Sequence, residues 1–299
     1  TADVMVIDTI ATDAGDDGLF ITGNGNTDIT AVTINGAMSG VNFGGATGNG
    51  VQIDLLDQVN PTDILITDLT ANNTGGLGVD INLTNIDGGD SSVSIFNSNV
   101  NNTMMATGGG IDINLTNVND SVLAGTQTIL IDNTSAQGAG AADGLNIDVT
   151  GLDADETLDI TIGGGSNFSG SDMGGVDIDV AGVVGTTIDL SVDGLTASNN
   201  AEDGVNFASN GETVNINDFA NLTASGNTQD GVDLLFDGGS VVTFDPLGTF
   251  ENINIMTNEQ NGLAIEVANG SDVNPITLDG LDLSNNGQGG ASFDNLDIM

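Results

Sequence analysis

The sequence predicts an all-β solenoid, in which short repeats wrap as coils around one axis and stack on each other. Three observations lead to this fold class. Glycine-led blocks recur at a steady spacing, apolar and polar residues alternate within each block, and no segment has apolar residues at helical spacing over three turns. A unit that stacks on copies of itself accounts for all three.

The repeat is marked by a glycine followed by an alternating strand, as in Gly78–Leu83 (GVDINL) and Gly175–Val180 (GVDIDV). Successive block glycines are 27 to 34 residues apart. They stand at positions 18, 50, 78, 110, 144, 175, 204, 231, 262 and 290. This spacing predicts about ten coils of roughly 30 residues.

Each coil is expected to contain three short strands. The first strand follows the block glycine, and a second alternating segment comes next, as in Thr157–Ile162 and Thr187–Val192. A third segment, such as Leu195–Asn200, leads into an Asn-rich turn. Asparagine tolerates left-handed backbone, and its amides can bond to one another along the stack.

The whole chain, residues 1–299, is predicted to be one domain with a partial first coil (1–17) and a partial last coil (290–299). Because stacked strands lie about 4.8 Å apart, ten coils would form a rod about 50 Å long. The chain begins with Thr1 and lacks a signal peptide, so it is interpreted as a mature or excised segment.

With its Gly-Val-Asp-Ile-Asp strands and Asn-rich turns, the sequence resembles the pectate-lyase-like superfamily of right-handed parallel β-helices over nearly its whole length. The resemblance implies an all-β, right-handed parallel β-helix. It implies less about function, because one fold hosts many functions. Lyases of that superfamily use Arg or Lys as base, often with calcium, and its hydrolases use Asp with supporting basic residues. This chain has no Lys, Arg or His, so we expect no enzyme activity.

The charge excludes several classes of partner. The chain has 43 acidic residues and a formal net charge of −43. Nucleic-acid binding is excluded, because it depends on Lys and Arg neutralising phosphates. Docking on anionic membranes is excluded for the same reason, and no apolar run is long enough for membrane insertion. The absence of Cys excludes thiolate metal sites.

The alternation predicts rows of outward carboxylates along the stack. Val and Ile of each block point inward, so the residues between them point outward. The carboxylates expected in these rows are Asp80, Asp112, Asp148, Asp177, Asp179 and Asp233. Like charges about 4.8 Å apart repel, and calcium bound by carboxylate oxygens is one way to neutralise them. Diffuse screening by counterions is the alternative.

A second candidate calcium site is the acidic turn Asp153-Ala-Asp155-Glu156. Two carboxylates of such a cluster would also suit a glycosidase, but a solvated or cation-binding turn is the favoured interpretation.

The ends predict self-association. Val4–Ile7 has the pattern of a second strand and Gly290–Met299 that of a first strand. We therefore expect head-to-tail stacking into a homopolymer, in which Phe293, Leu296 and Met299 pack against Val4, Val6 and Ile7 of the next copy. The alternative is that the chain is a segment of a longer solenoid.

Together these patterns favour an extracellular or cell-surface structural protein, a filament or sheath subunit stabilised by divalent cations. A surface adhesin or stalk module that binds glycans or neighbouring cells is the alternative. A polysaccharide-active enzyme ranks last.

Overall fold

A computed structural model shows a right-handed parallel β-helix of about nine turns. It describes residues 1–25, 28–36, 41–101, 110–119, 125–182, 185–244, 250–274, 276 and 281–294. The described residues form strands and turns and contain no helix. The predicted fold class is thus confirmed.

The first twelve strands are β1 (Ala2–Ile7), β2 (Leu19–Gly23), β3 (Ile29–Asn35), β4 (Val41–Asn42), β5 (Val51–Gln58), β6 (Asp63–Thr67), β7 (Leu69–Thr70), β8 (Val79–Asp87), β9 (Ser92–Phe96), β10 (Ile111–Asn119), β11 (Thr126–Asp132) and β12 (Leu145–Thr150). The others are β13 (Thr157–Gly163), β14 (Val176–Ala181), β15 (Thr187–Asp193), β16 (Val205–Asn210), β17 (Thr213–Ala220), β18 (Val232–Asp237), β19 (Val241–Phe244), β20 (Ile253–Asn254), β21 (Asn261–Val267), β22 (Asp272–Val273), β23 (Leu281–Asp282) and β24 (Gly289–Asp294).

Two ten-stranded parallel sheets form the long sides of the column. The front sheet contains the predicted first strands, in the order β2-β5-β8-β10-β12-β14-β16-β18-β21-β24. The back sheet contains the second strands, in the order β1-β3-β6-β9-β11-β13-β15-β17-β19-β22. Strands of one sheet are therefore one coil apart in sequence, as the glycine spacing predicts.

The third side differs from the prediction of a third strand in every coil. Two-residue strands pair there only as β4 with β7 and β20 with β23, and single bridges such as Thr196 to Thr223 link the other described coils. The cause is local backbone geometry. Gly194 and Asn199 both have positive φ, so only four residues between them are free to extend.

Apolar residues alternate into a continuous core, as predicted. In the front sheet one inward row holds Ile21, Ile53, Ile81, Ile113, Ile147, Ile178, Phe207, Leu234, Ile265 and Phe293. All of these except Phe293, which lies in the last strand, are buried. Constant register over nine pairings gives every coil the same inward face.

The block glycines from Gly18 to Gly262 are required by close packing, and of these only Gly110 also has a positive φ. A Cβ built on Gly204 would lie 2.5 Å from the Gly231 carbonyl oxygen and 2.8 Å from that of Ala197. Neither Gly204 nor Gly231 has a positive φ. We interpret the block glycine as the point where the third side approaches the front sheet too closely for any side chain.

Asparagines form the predicted ladders, and one ladder is buried inside the column. The Asn200 backbone N–H donates to Asn227 Oδ1 (2.9 Å), and the Asn227 N–H donates to Asn258 Oδ1 (2.9 Å). The Asn227 Nδ2 group donates to the Ala197 carbonyl (3.2 Å). The side chains therefore hold successive coils together at a corner where the sheets supply no ladder bonds.

Candidate functional site: the polar rows and the ends of the column

Two outward rows of polar side chains run along the front sheet and are its main chemical feature. The first outer row is Phe20, Gln52, Asp80, Asp112, Asn146, Asp177, Asn206, Asp233, Ala264 and Ser292. The second outer row is Thr22, Asp54, Asn82, Asn114, Asp148, Asp179, Ala208, Leu235, Glu266 and Asp294. The structure thus places the six row carboxylates in the predicted strands. Asp80, Asp112, Asp177 and Asp233 lie in the first outer row, and Asp148 and Asp179 lie in the second.

Amide groups cross-link these carboxylates. Asn82 Nδ2 donates to Asp80 in its own strand (2.8 Å) and to Asp54 in the preceding coil (2.9 Å). Asn146 Nδ2 donates to Asp112 (2.8 Å). The same bond recurs from Asn206 to Asp177 (2.7 Å). Amide donors therefore supply part of the stabilisation that a chain without basic side chains cannot obtain from ion pairs.

Some acids in the rows face each other directly. Asp80 lies opposite Asp112, and Asp148 lies opposite Asp179. Burial, together with the neighbouring Asp112, raises the pKa of Asp80. Burial and the nearby charges of Asp177 and Asp148 raise the pKa of Asp179. The sheet thus holds carboxylates where ionisation is unfavourable, although their side chains stay partly exposed.

A further set of carboxylates lies at the turns that precede the front strands, and its role is not evident from the sequence. The Asp143 carboxylate accepts from the Gly174 N–H (2.6 Å), and the Asp203 carboxylate accepts from the Asp230 N–H (2.7 Å). Burial raises the pKa of Asp143 to about 6 and that of Asp203 to about 7. An Asp-Gly pair precedes the block at Asp17, Asp143, Asp203 and Asp230, and this repetition was the signal available in the sequence.

Asp233 belongs to the first outer row and lies near the turn acid Asp230. Burial, with the nearby Asp230 and Glu266 charges, raises the pKa of Asp233 to about 6. Asp233 is followed along the column by the uncharged Ala264. Among the described carboxylates, the most strongly shifted therefore lie in the turns and the first outer row between the fifth front strand, β12, and the eighth, β18.

The acidic turn at 153–156 does not present three carboxylates together. Asp153 and Asp155 are exposed, whereas Glu156 is only 1% exposed. Glu156 Oε2 accepts from the Asp153 backbone N–H (3.0 Å). The side chain therefore lies beneath the turn and closes it. Glu212, also 1% exposed, has the same role two coils on and accepts from the N–H groups of Gly182 (2.6 Å) and Asn210 (2.6 Å).

The predicted calcium ligands do not converge. Among the residues that the structure describes, no group of three or more Asp or Glu side chains is arranged to hold a metal ion. Asp153 and Asp155 are exposed whereas Glu156 is buried, and among the row acids Asp80, Asp112 and Asp177 accept bonds from amides. Calcium binding by these carboxylates stays a prediction, with diffuse screening by counterions as its alternative.

The predicted interface residues lie at opposite ends of the column but on different sides of it. Val4 and Val6 are in β1, at the edge of the back sheet, where they are partly buried against the core. Ile7 is 53% exposed and points outward. Phe293 is in β24, at the edge of the front sheet. Leu296 and Met299 lie outside the described residues.

The predicted contact between copies stays a prediction, and this placement bears on which residues it would join. If a second copy continued the column, Phe293 would lie over Ile21, which is in its own row of the front sheet, and not over Val4 or Val6. The sequence pattern gave the correct strand phase at both ends. It did not reveal that Phe293 and Val4 lie on the edges of different sheets.

Within the described residues no helix is long and apolar enough to cross a bilayer. Comparisons of the chain with protein-family models, with curated proteins and with solved structures found no match.

Proposed function

We propose that this protein is a structural subunit that associates end to end, so that the β-helix of one copy continues into the next. The observation that supports this is the constant register of the front sheet. Its two edge strands, β2 and β24, carry the same inward rows as every strand between them. An edge strand with unpaired backbone groups is a template for another strand.

Apolar side chains that the column leaves partly uncovered support the same proposal. Val4, Val6 and Leu19 pack against the core at one end, and Val273, Ile276, Leu281 and Leu283 do so at the other. Covering them would bury apolar surface at about 25 cal/mol per Å². The two ends are different surfaces, so the contact is head-to-tail and does not close.

The direct test is the size distribution of the purified chain. We expect sedimentation velocity to show concentration-dependent polymers and electron microscopy to show rods of many lengths. A single species about 50 Å long at all concentrations would contradict the proposal.

A proline variant sharpens the test. The Leu19 N–H donates to the Gly50 carbonyl and so points toward β5. Because successive N–H groups of a strand point to opposite sides, the N–H of Thr22 points to the open edge of β2. Thr22→Pro removes a donor that the column itself does not use, and we expect it to shorten the polymers. Thr22→Ala keeps the N–H and is expected to polymerise normally. Polymers of equal length from both variants would show that the β2 edge is not used.

Cations enter this proposal as diffuse counterions. Bringing together copies that each carry a formal charge of −43 requires screening. We expect sodium and calcium salts to promote polymers similarly at equal ionic strength. A strict requirement for micromolar calcium, abolished by a chelator, would instead favour ordered calcium sites.

The proposal places the protein outside the cell or at its surface and assigns it no catalytic role. It is supported there by the absence of Lys and Arg, which leaves trypsin-like proteases no site to cut. We include the pectate-lyase-like superfamily in the proposal as an architectural relationship only. Turnover on a panel of polysaccharides would overturn the non-catalytic assignment.

A further inference from the structure

We propose that the end-to-end joint is a strand pairing in fixed register, in which β24 of one copy pairs with β2 of a second copy and β22 pairs with β1. This inference rests on the proposed function and specifies its contact. The occupant of each open edge is another copy of this chain. The charges and apolar rows that this register brings together support it.

In the front sheet the joint would place no two acids opposite each other. Leu263 pairs with Ala291 and Glu266 with Asp294, while Leu19 and Thr22 occupy the corresponding rows in β2. Asp294 would therefore meet Thr22. In the other outward row, Ser292 would meet Phe20.

The back sheet and the third side give the same result. Asn274 follows β22 and bonds to Thr243 through its Nδ2 (3.1 Å), which places it in the row that begins with Asp3. On the third side, Asp282 is in the row that begins with Ile10. At the joint, Asp3 would meet an amide and Asp282 would meet an apolar side chain.

This pattern contrasts with the interior of the column, where acids do face each other. Directly opposed pairs within one column are Asp80 with Asp112, Asp148 with Asp179, Asp159 with Asp189 and, at the last pairing, Glu266 with Asp294. A covalent chain can tolerate such pairs because neighbouring coils are tied together, whereas a joint between two separate molecules has no such tether. Like charges that face each other across the joint would therefore be the most costly. In these four rows no two acids meet across the joint.

The inward side of the joint is also compatible. Phe293 is 38% exposed in an inward row, and Ile21 occupies that row at the other end. Pairing β24 with β2 would cover the phenyl ring with Ile21, as Phe207 is covered by Ile178 and Leu234 inside the column. The apolar core would continue through the joint without a register shift.

Disulfide trapping tests the register, because the chain has no cysteine of its own. Residues directly opposite on paired parallel strands have Cα atoms about 4.8 Å apart, within the range that a disulfide bridges. We expect the double variant Phe20→Cys with Ser292→Cys to give a ladder of covalent multimers on non-reducing gels. Thr22→Cys with Asp294→Cys is a second in-register pair and should give the same ladder.

The matched control is Phe20→Cys with Asp294→Cys, which is two residues out of register. Its Cα atoms would be about 8 Å apart, beyond the range of a disulfide. We expect few or no covalent multimers although the protein still polymerises. Ladders of equal strength from all three pairs, or only from the control, would overturn the register while leaving end-to-end assembly in place. If the parent chain and all variants formed no polymers and no covalent ladders, the proposed function itself would be overturned.

Discussion

At the scale of single residues, the column depends on positions where a side chain is either forbidden or indispensable. Gly204 is the clearest case of the first kind, because backbone carbonyl oxygens occupy the space that a Cβ would need. Asn227 is the clearest case of the second, since it is fully buried and bonds to both neighbouring coils.

Replacing Gly204 by alanine should therefore destabilise the protein strongly. The new methyl group would lie within 2.8 Å of two carbonyl oxygens that belong to adjacent coils, and these cannot move independently. We expect a loss of about 1–3 kcal/mol, the usual cost of overpacking. Thermal and urea unfolding measure it. Gly15→Ala is the control, because no atom lies within 4 Å of its Cβ position, and it should change stability little.

Removal of the Asn227 amide should cost a similar amount for a different reason. In Asn227→Ala the buried Asn200 N–H loses its acceptor, and an unsatisfied buried donor costs about 1–3 kcal/mol. The same unfolding measurements apply. Asn217→Ala, at an exposed position in β17, is the control. Equal destabilisation of the two variants would show that the internal ladder contributes no special stability.

These residues show where sequence reasoning succeeds and where it stops. Alternation identifies Val176 and Ile178 as core and Asp177 and Asp179 as surface, because period two leaves no other choice. It does not show that Glu156 is buried, since a buried acid depends on which backbone N–H groups a turn directs at it. That geometry has no signature in a single coil.

At the scale of elements, the polar rows combine repulsion with amide cross-links. Asp148 and Asp179 are opposed in adjacent strands, and the register pairs Asp179 with Ala208 on its other side. By contrast, Asp112 has amide donors from Asn114 and Asn146. Repulsion is therefore concentrated where acids follow one another without asparagine.

Neutralising one member of that pair should stabilise the column. We expect Asp179→Asn to raise the free energy of unfolding at pH 7.5 by about 1 kcal/mol, the size of one like-charge contact near the surface. The gain should decrease in high salt and at pH 4.5, where the carboxyl groups are screened or protonated. Asp155→Asn removes the same charge from an exposed turn and is the control. A larger gain from Asp155→Asn would contradict the row interpretation.

The third side shows how local backbone geometry overrides a strand pattern. Leu195 and Ala197 alternate into the core as a strand would. However, left-handed residues on both sides restrict the extended segment to a single bridged position. Sequence reasoning could find the apolar alternation, but not the length, because Gly and Asn permit positive φ without requiring it.

At the scale of the whole molecule, every resolved pKa shift has the same sign. Burial raises the pKa of each of these carboxyl groups, to about 6 for Asp143 and Asp233 and about 7 for Asp203. Between about pH 4 and pH 7 the folded chain thus binds more protons than the unfolded one, so its stability rises as the pH falls through this window.

We therefore expect the melting temperature to increase from pH 8 to pH 5, opposite to ordinary acid denaturation. A rise of about 5 °C or more corresponds to a few kcal/mol for a chain of this size. Differential scanning calorimetry at low protein concentration measures it. Asp203→Asn, which removes the most shifted group, should flatten the curve. A melting temperature that falls between pH 7 and pH 5 would contradict the expected linkage.

The overall architecture was predictable because its signal repeats. Nine intervals between block glycines point to the same unit, so an error in one coil does not change the fold. The end contacts were less predictable, because they depend on which sheet each edge strand joins. That property follows from the three-dimensional path of the chain and not from the apolar character of Val4 or Phe293.

The unbroken register has a consequence for how such a chain changes over time. Because Gly175 and Gly204 occupy equivalent positions, deleting residues 175–203 would join Gly174 to Gly204 and bring β16 directly onto β12. Phe207 would then cover Ile147, and Asn206 would face Asn146. The shortened molecule would therefore keep both the inward apolar row and the first outer row. Duplication of the same stretch would lengthen it equally well. The length of the β-helix can thus change by whole coils, while the surfaces at its two ends stay the same.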